Sequence, residues 1–534
     1  MSKVSSNKSE LRGFMGWVER TGNKLPDPVV LFCILCALLI VVSVLSSFLS
    51  LSAFHPVQKN ADGSNLLVKA VSLLSAENIR KFWVEMPTTF THFHPLGYVL
   101  VVMLGAGVAE KSGLFGSALR LAVNAAPKKL LTPVVALVAM LSNHAADAGY
   151  VVLIPLAGIL FAAAGRHPLA GIATAFAGVS GGFSANVTPG QLDALLFGIT
   201  ETAIKASNLD PNWKVNIAGN WWFITGMTVV FLPVIWYVTD RIVEPNLPKW
   251  IPAKEHKNIQ SGEKLSDTER SGVNRAIFAA LMVGVLWVVM ATCFGSPLWL
   301  TGPAVEGKAW FVKAAPLFQS MVGAFFILFL AMGWAYGKTV GTVQNSRDLI
   351  NMMSESMKDL GYYLVLAFVT AHFVAMFAWS NLGLIFAIHG AQAIQSLSLP
   401  VPILMTAILL FTAILNLFIG SASAKWGLMA PILVPMLMLL GISPETTTAV
   451  YRVGDGATNI ITPLMVYFPL ILVFAKKWQP NFGIGSLTAL MMPYSIGILI
   501  SGGLLVIVWV LVGFDLGPSA GVYYTLPGAA VPTP

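Results

Sequence analysis

The chain has 534 residues, 56% of them hydrophobic and only 10% Asp, Glu, Lys or Arg, with a formal charge of +8. A soluble domain carries about 25% charged residues, so this composition excludes an ordinary water-facing surface. Apolar runs of about 18 residues or more recur from Val29 to Val512 and read as bilayer spans, whereas a β-barrel would show short alternating segments.

Residues 1–28 form a polar segment holding Lys3, Lys8, Arg12, Arg20 and Lys24. A second basic stretch, 241–275, carries Arg241, Lys249, Lys254, Lys257, Lys264, Arg270 and Arg275, while the tail 515–534 has no Lys or Arg. Basic residues gather in short cytoplasmic loops. The pattern therefore predicts a cytoplasmic N-terminus and 241–275 loop, an external C-terminus and an odd number of crossings. It speaks for a lipid bilayer and against a nucleic-acid partner. The long polar lead before Val29 argues against a cleavable signal peptide. Cys33, Cys36 and Cys293 all lie in apolar segments. With no further Cys or His beside the Cys33/Cys36 pair, they read as lipid- or core-facing residues rather than a redox or metal site.

The first transmembrane repeat is expected over 29–240. A span at about Val29–Leu49 leads into a polar external loop to about Thr91. Between 133 and 164 the apolar run is broken by Ser142-Asn-His-Ala-Ala-Asp147. Each flank is too short to span, which suits a re-entrant helical hairpin with a polar tip. Near 169–199, Ser180-Gly-Gly-Phe-Ser-Ala-Asn-Val-Thr-Pro-Gly190 interrupts a second run. Such backbone survives in hydrocarbon only where protein buries it or a cavity receives it. A span at about Trp221–Val238 closes the repeat.

The second repeat, 276–514, follows the same plan. Spans at about Ala276–Cys293 and Pro316–Tyr336 precede a basic loop near Lys338–Lys358 and apolar stretches at Tyr362–Trp379 and Leu382–Ile394. A second candidate hairpin covers 403–440, with Gly420-Ser-Ala-Ser-Ala-Lys-Trp-Gly427 at its tip. A second broken helix covers 446–475, around Asn459-Ile-Ile-Thr-Pro463, and a long span at about Met491–Val512 ends the membrane region. Asn186-Val-Thr-Pro189 answers Asn459-Ile-Ile-Thr-Pro463. The tip at Ser142 lies 44 residues before Asn186, and Ser421 lies 38 before Asn459. Interrupted helices at matching places in two halves point to the central site of a secondary transporter.

Ionisable residues inside a membrane are functional candidates by default. Those near the breaks are Asp147, Asp193, Lys425, Arg452 and Asp455. Arg452 and Asp455 are three apart, so on a helix they share a face. Either they form a structural pair, or Asp455 orients a guanidinium whose planar fork suits a substrate carboxylate. Asp193, with no basic neighbour in sequence, either exchanges protons from a buried position or caps the helix after the break. Trp426 either stacks on an aromatic ligand or packs the hairpin tip. The oxygen-rich groups Ser142, Asn143, Ser184, Asn186, Ser421, Ser423, Thr458 and Asn459 either satisfy freed backbone or hold Na⁺ or carboxylates. Asn143, Asn186, Ser421 and Asn459 are the candidate Na⁺ oxygens. His144 and His372 are lone, so no metal centre is expected. No Walker loop, Gly-x-Ser-x-Gly elbow or His-Glu-x-x-His occurs.

Long strings around these positions resemble the p-aminobenzoyl-glutamate transporter (AbgT) family: Ser142–Pro155, His167–Asn186, Trp426–Met436 and Tyr451–Pro463. The resemblance extends from Gly13-Phe-Met-Gly-Trp17 to the last span. It implies an all-α fold of about nine transmembrane helices, with inverted repeats and two re-entrant hairpins, in a homodimer of a bacterial inner membrane. It also implies transport of p-aminobenzoyl-glutamate, or of p-aminobenzoate-like compounds including sulfonamides, on the proton gradient. Functional roles come with it for Asp193, Ser423, Trp426, Pro444, Arg452, Asp455 and Pro463, and for Pro444 the resemblance is the sole ground.

The reading is therefore a secondary active carrier of an anionic aromatic small molecule, without cofactor, coupled to protons or to Na⁺. Ser423, Trp426, Arg452, Asp455, Asn186 and Asn459 are expected to bind substrate. Asp193 couples the ion, and Pro189, Pro444 and Pro463 serve as hinges. Rival readings are a Na⁺-coupled dicarboxylate transporter, an intramembrane enzyme using His144 and Asp147, and a passive channel.

Overall fold

The computed structural model describes residues 26–60, 62, 64–124, 127–145, 149–210, 213–250, 265–292, 297–306 and 310–526. The segment 1–25, the centre of the expected cytoplasmic loop (251–264), Asp147, Cys293 and the end of the tail (527–534) lie outside the described residues.

The first apolar run becomes helix α1, Pro28–Phe48. The Asp27 carboxylate accepts from Val29 N at 2.8 Å, and Pro28 takes the first helical position, where no intrahelical N–H bond is lost. The polar stretch behind it is more ordered than an external loop. Strands β1 (Ser52–Lys59) and β2 (Asn65–Lys69) pair antiparallel, with Asp62 bonded to Ser64 N and Oγ at the turn. Short helices α2 (Ala76–Val84), capped by Ser75, and α3 (Met86–Thr91) follow. Among the described residues, the otherwise helical fold thus carries one small sheet.

Helices α4 (His94–Lys111) and α5 (Leu114–Asn124) are bent by 65° at Gly113, whose φ of +92° suits a residue without Cβ. The first interruption separates α6 (Leu131–Leu141) from α7 (Ile154–Ala163). Arg166, in the next turn, reaches Thr132 at 2.6 Å and Asp240 at 2.6 Å and also pairs with Glu244. One guanidinium thereby ties three segments. Helix α8 (Pro168–Phe176) widens into a π turn over Ala177–Gly181, and the chain is non-helical from 182 to 190 before α9, Gln191–Ser207. Helix α10 is Trp221–Tyr237.

In the second half α11 spans Asp267–Thr292, beginning well before the expected start at Ala276 and shortening the 241–275 loop. The reason is a reciprocal cap that hydropathy does not report: Ser266 N donates to Glu269 Oε2 at 2.8 Å and Glu269 N to Ser266 Oγ at 3.2 Å. After α12 (Met321–Val340), the expected basic loop is largely helix α13, Ser346–Asp359, started by a second such cap between Asn345 and Asp348. Then come α14 (Gly361–Trp379), α15 (Leu382–Ser396), α16 (Val401–Asn416), α17 (Ala422–Leu439), α18 (Pro444–Asn459), α19 (Phe468–Lys476) and α20 (Ile484–Val512). The second tip is narrower than expected, because Ser421 Oγ accepts from Ala424 N and α17 starts at once.

Seven described helices are long and apolar enough to cross a bilayer, or eight if α4 and α5 form one bent span. On α11, Phe278, Leu281, Met282, Val285 and Leu286 are exposed, an apolar surface that lipid rather than water covers. The chain is a multi-pass membrane protein. Cys33 faces outward and Cys36 is half-buried.

Helix α18 is buried along its whole length. It packs against α16, α17, α20 and the π turn at 177–181. At that last contact Gly456 meets Gly181: a Cβ on Gly456 would lie 2.7 Å from the Gly181 carbonyl oxygen. The two interrupted regions therefore touch through bare backbone. The chain after α20 also folds back. Ser443 N donates to Val522 O at 3.1 Å and Tyr524 N to Gly441 O at 2.8 Å, which lays residues 516–524 across the start of α18.

Candidate functional site

The site grows from the start of α9, the end of α16, the second tip where α17 begins, and the middle of α18. Gly190 and Asp193 open α9 in the manner of a capping box, with Gly190 N donating to Asp193 Oδ2 at 2.7 Å. This leaves Oδ1 of Asp193 directed at α18, where Arg452 Nη2 donates to it at 2.6 Å. Asp193 is thus both a helix cap and half of a charge pair. The pairing expected from local spacing is replaced: Arg452 does not take Asp455, three residues along its own helix. Asp455 Oδ1 instead accepts from Lys425 Nζ on α17. Four charged side chains, none more than 6% exposed, form two ion pairs of zero net charge. Burial of such charges is tolerable only when they are paired and hydrogen-bonded.

Around the pairs lies a polar and aromatic shell. Asn416, the last residue of α16, donates through Nδ2 to Asp455 O at 2.7 Å, Thr458 Oγ1 at 2.9 Å and Asn459 Oδ1 at 2.9 Å. Its Oδ1 accepts from Lys425 Nζ. Tyr451 Oη donates to Ala422 O at 2.6 Å and also approaches Asp455 Oδ1. Trp426 is fully buried, with its ring centroid 4.5 Å from that of Tyr451. Its Nε1 donates to Leu196 O at 3.1 Å and Thr200 Oγ1 at 3.0 Å. The Arg452 guanidinium lies 5.9 Å from the centroid of the Phe197 ring. Arg452 Nε is buried with no hydrogen-bond partner among the described residues.

Asp193, Trp426, Arg452, Asp455 and Asn459 therefore converge. Ser423 is half-buried beside the tip, with Oγ 3.3 Å from Ser421 Oγ. Asn186 and Pro189 stay in the first break. Asn186 N donates to Ile224 O at 3.2 Å and its Oδ1 accepts from Val187 N at 2.9 Å. Asn143, in the first tip, donates to Met140 O and Gly182 O, and its own carbonyl accepts from Gln191 Nε2. The first tip and first break are thereby tied, as Asn416 ties the second pair. Pro444 sits at the far end of α18, and Pro463 lies in the turn after it, beside Thr462, whose Oγ1 donates to Leu417 O. His144 faces Thr188 Oγ1 at 3.0 Å and His372 Nδ1 lies 2.7 Å from Phe368 O. No group of three or more metal-ligating side chains occurs among the described residues.

Sequence reasoning passed over Asn416 and Tyr451. Asn416 carried a usable signal: it is a lone amide in the otherwise apolar stretch Ile403–Ile419, and an intramembrane polar group needs a partner. Tyr451 carried none, since a Tyr beside Arg452 reads equally as packing.

Chemically, the arrangement offers a guanidinium edge for an anion, an aromatic wall of Phe197, Trp426 and Tyr451, and two carboxylates each paired with a cation from another helix. A model of the AbgT putative transporter family matches residues 13–524. The p-aminobenzoyl-glutamate transport protein of Escherichia coli (strain K12) is 33% identical over 523 residues, 98% of this chain and 99% of that one. Two solved structures are each 40% identical. The Alcanivorax borkumensis YdaH transporter, whose crystal structure was described as having an unusual topology, gives a TM-score of 0.84 over 92% of this chain and 100% of its own. Neisseria gonorrhoeae MtrF, described as illuminating a class of antimetabolite efflux pumps, gives 0.86 over 95% and 100%.

Proposed function

This chain belongs to the AbgT putative transporter family, and from that premise we propose a secondary active carrier of p-aminobenzoyl-glutamate or p-aminobenzoate-like compounds, sulfonamides among them. It is a transporter and not an enzyme. The proposed setting is a bacterial inner membrane, as a homodimer with the N-terminus cytoplasmic, the C-terminus outside and about nine crossings in two inverted repeats.

The observation that carries this reading is the buried Arg452–Asp193 pair, which joins α18 to the start of α9. A substrate carboxylate takes the guanidinium only when Asp193 leaves it. Protonation of Asp193 removes the competing anion, so proton and anionic substrate load together. Trp426 and Tyr451 flank the aryl head once the tip opens. Ser423, Asn186 and Asn459 supply polar contacts, and Pro189, Pro444 and Pro463 mark the ends about which the segments move. Whether flux runs inward or outward then follows from stoichiometry and gradients.

A second reading, a Na⁺-coupled dicarboxylate carrier, draws on the oxygens of Asn416, Asp455 and Asn459 at the second break. Proteoliposomes holding the purified protein separate the two when ΔpH and a Na⁺ gradient are imposed in turn. Uphill flux of labelled p-aminobenzoyl-glutamate or a sulfonamide under ΔpH alone, lost in Asp193→Ala, is the expected result. Flux that needs Na⁺ and ignores Asp193→Ala favours the second reading. No flux of either compound under any gradient removes the substrate assignment.

A further inference from the structure

Lys425 and Asp455 form the charged pair that the proton-coupled mechanism above leaves without work. The Lys425 side chain is fully buried, and Nζ meets Asn416 Oδ1 from α16 and Asp455 Oδ1 from α18, with the Tyr451 ring centroid 6.0 Å away. The orientation of the Asn416 amide is not arbitrary. Its Nδ2 end is surrounded by three acceptors, Asp455 O, Thr458 Oγ1 and Asn459 Oδ1, so the oxygen end must face Lys425. Asp455 is held likewise, with Tyr451 Oη on Oδ1 and Asn459 Nδ2 at 3.5 Å from Oδ2.

A carboxylate oxygen and an amide oxygen are hard donors that suit a small cation, and here they are fixed at the second tip and near the C-terminal end of α18, the kind of place where interrupted helices bind coupling ions. Here the charge arrives on a side chain. We propose that the Lys425 ammonium is a tethered cation occupying an oxygen-lined cation site at the second break, and that this site admits no free Na⁺ while Lys425 is in place. The inference rests on the carrier reading above and narrows its ion coupling: any Na⁺ dependence then belongs to the first break, around Asn143 and Asn186. It also gives Asp455 a buried partner although Arg452 is committed to Asp193. Removing the ammonium leaves an uncompensated buried carboxylate, which a small cation entering from solution would neutralise.

The test needs no substrate. Melting of the purified full-length protein is followed in NaCl, ammonium chloride and N-methylglucamine chloride at equal ionic strength. Lys425→Ala is expected to melt lower than the native chain and to regain at least about 2 °C more than the native chain does in Na⁺ or ammonium, but not in N-methylglucamine, as ligand linkage requires. Equal cation responses in Lys425→Ala and the native chain would overturn the proposal. So would a Na⁺ response of the native chain that disappears in Asp455→Asn, since Na⁺ would then enter with Lys425 present. If Lys425→Ala does not fold, Lys425→Ala/Asp455→Asn is expected to fold and to ignore the cation. A double variant no better than the single one counts against the idea. Absence of flux with the expected melting behaviour would remove the substrate assignment and leave Lys425 in this role.

Discussion

Arg452 and Asp193 are 259 positions apart in the chain and 2.6 Å apart in the fold. Asp193 closes the first interrupted region and Arg452 stands on α18, which leads into the second, so this ion pair joins the two halves in the buried core. Asp193 also caps α9 through Gly190 N, which gives its carboxylate two duties at once. A carrier that changes shape at this junction must break or relay that pair.

Breaking it from one side is expected to be costly. Arg452→Ala leaves Asp193 buried without its cation and should destabilise by about 3–5 kcal/mol. Asp193→Asn keeps one acceptor oxygen where the carboxylate served both Gly190 N and the guanidinium, and it leaves Arg452 buried without its anion, so it should be costly as well. The double variant Asp193→Asn/Arg452→Gln should recover most of the melting temperature while flux stays absent. A double variant as unstable as Arg452→Ala alone would show that packing of the guanidinium over Phe197 dominates rather than charge.

Trp426 separates ring from donor. Trp426→Phe keeps an aromatic ring against Tyr451 and loses the bonds to Leu196 O and Thr200 Oγ1, a loss of about 1 kcal/mol. Trp426→Ala empties a fully buried aromatic site and should cost about 3–5 kcal/mol. Flux retained in Trp426→Phe but lost in Trp426→Ala at a temperature where both are folded would support the aryl-head role. Equal loss in both would assign the residue's importance to its N–H.

Much of this was legible in the sequence because bilayer chemistry is restrictive: runs such as Val29–Leu49 and Met491–Val512 have no alternative but helix, and the two Asn…Thr-Pro breaks stand out against them. What was not legible depends on partners distant in the chain. Nothing near Arg452 names Asp193, and the closer carboxylate, Asp455, is claimed by Lys425 because α17 runs past it. The polar segments were misread for a different reason. Their order comes from caps at Ser75, Ser266 and Asn345 and from the turn at Asp62, each carried by one or two residues that leave no trace in hydropathy.

The β1–β2 hairpin should respond to acid through His55. This residue is buried in β1, and its Nδ1 accepts from Gln58 N at 2.9 Å. Burial holds its pKa below the ordinary imidazole value. With the folded pKa lowered, the unfolded hairpin binds more protons in the window between the two values. The His55 contribution is therefore complete above about pH 6.5 and is lost as pH falls toward the folded pKa. Hydrogen exchange at 52–69, corrected for its intrinsic rate, should accelerate on going from about pH 7.5 to about pH 5. His55→Asn, which keeps an acceptor for Gln58 N, should flatten that dependence. An unchanged slope in the variant would place the acid sensitivity elsewhere.

The contact between the breaks makes an asymmetric prediction about two glycines. A methyl group on Gly456 would sit 2.7 Å from the Gly181 carbonyl oxygen, and backbone cannot rotate aside. A methyl group on Gly181 would meet Ile498 Cδ1 at 2.7 Å and Ile460 Cδ1 at 3.4 Å, both ends of flexible side chains. Gly456→Ala must therefore push α18 away from the π turn, at about 1–3 kcal/mol, whereas Gly181→Ala needs only rotamer changes. Because α18 carries Arg452 and Asp455, that displacement also pulls Arg452 off Asp193. Gly456→Ala should lower both melting temperature and flux, and Gly181→Ala should do so much less. Equal effects of the two substitutions would mean that the helices yield freely at this contact and that the Arg452–Asp193 distance does not depend on it.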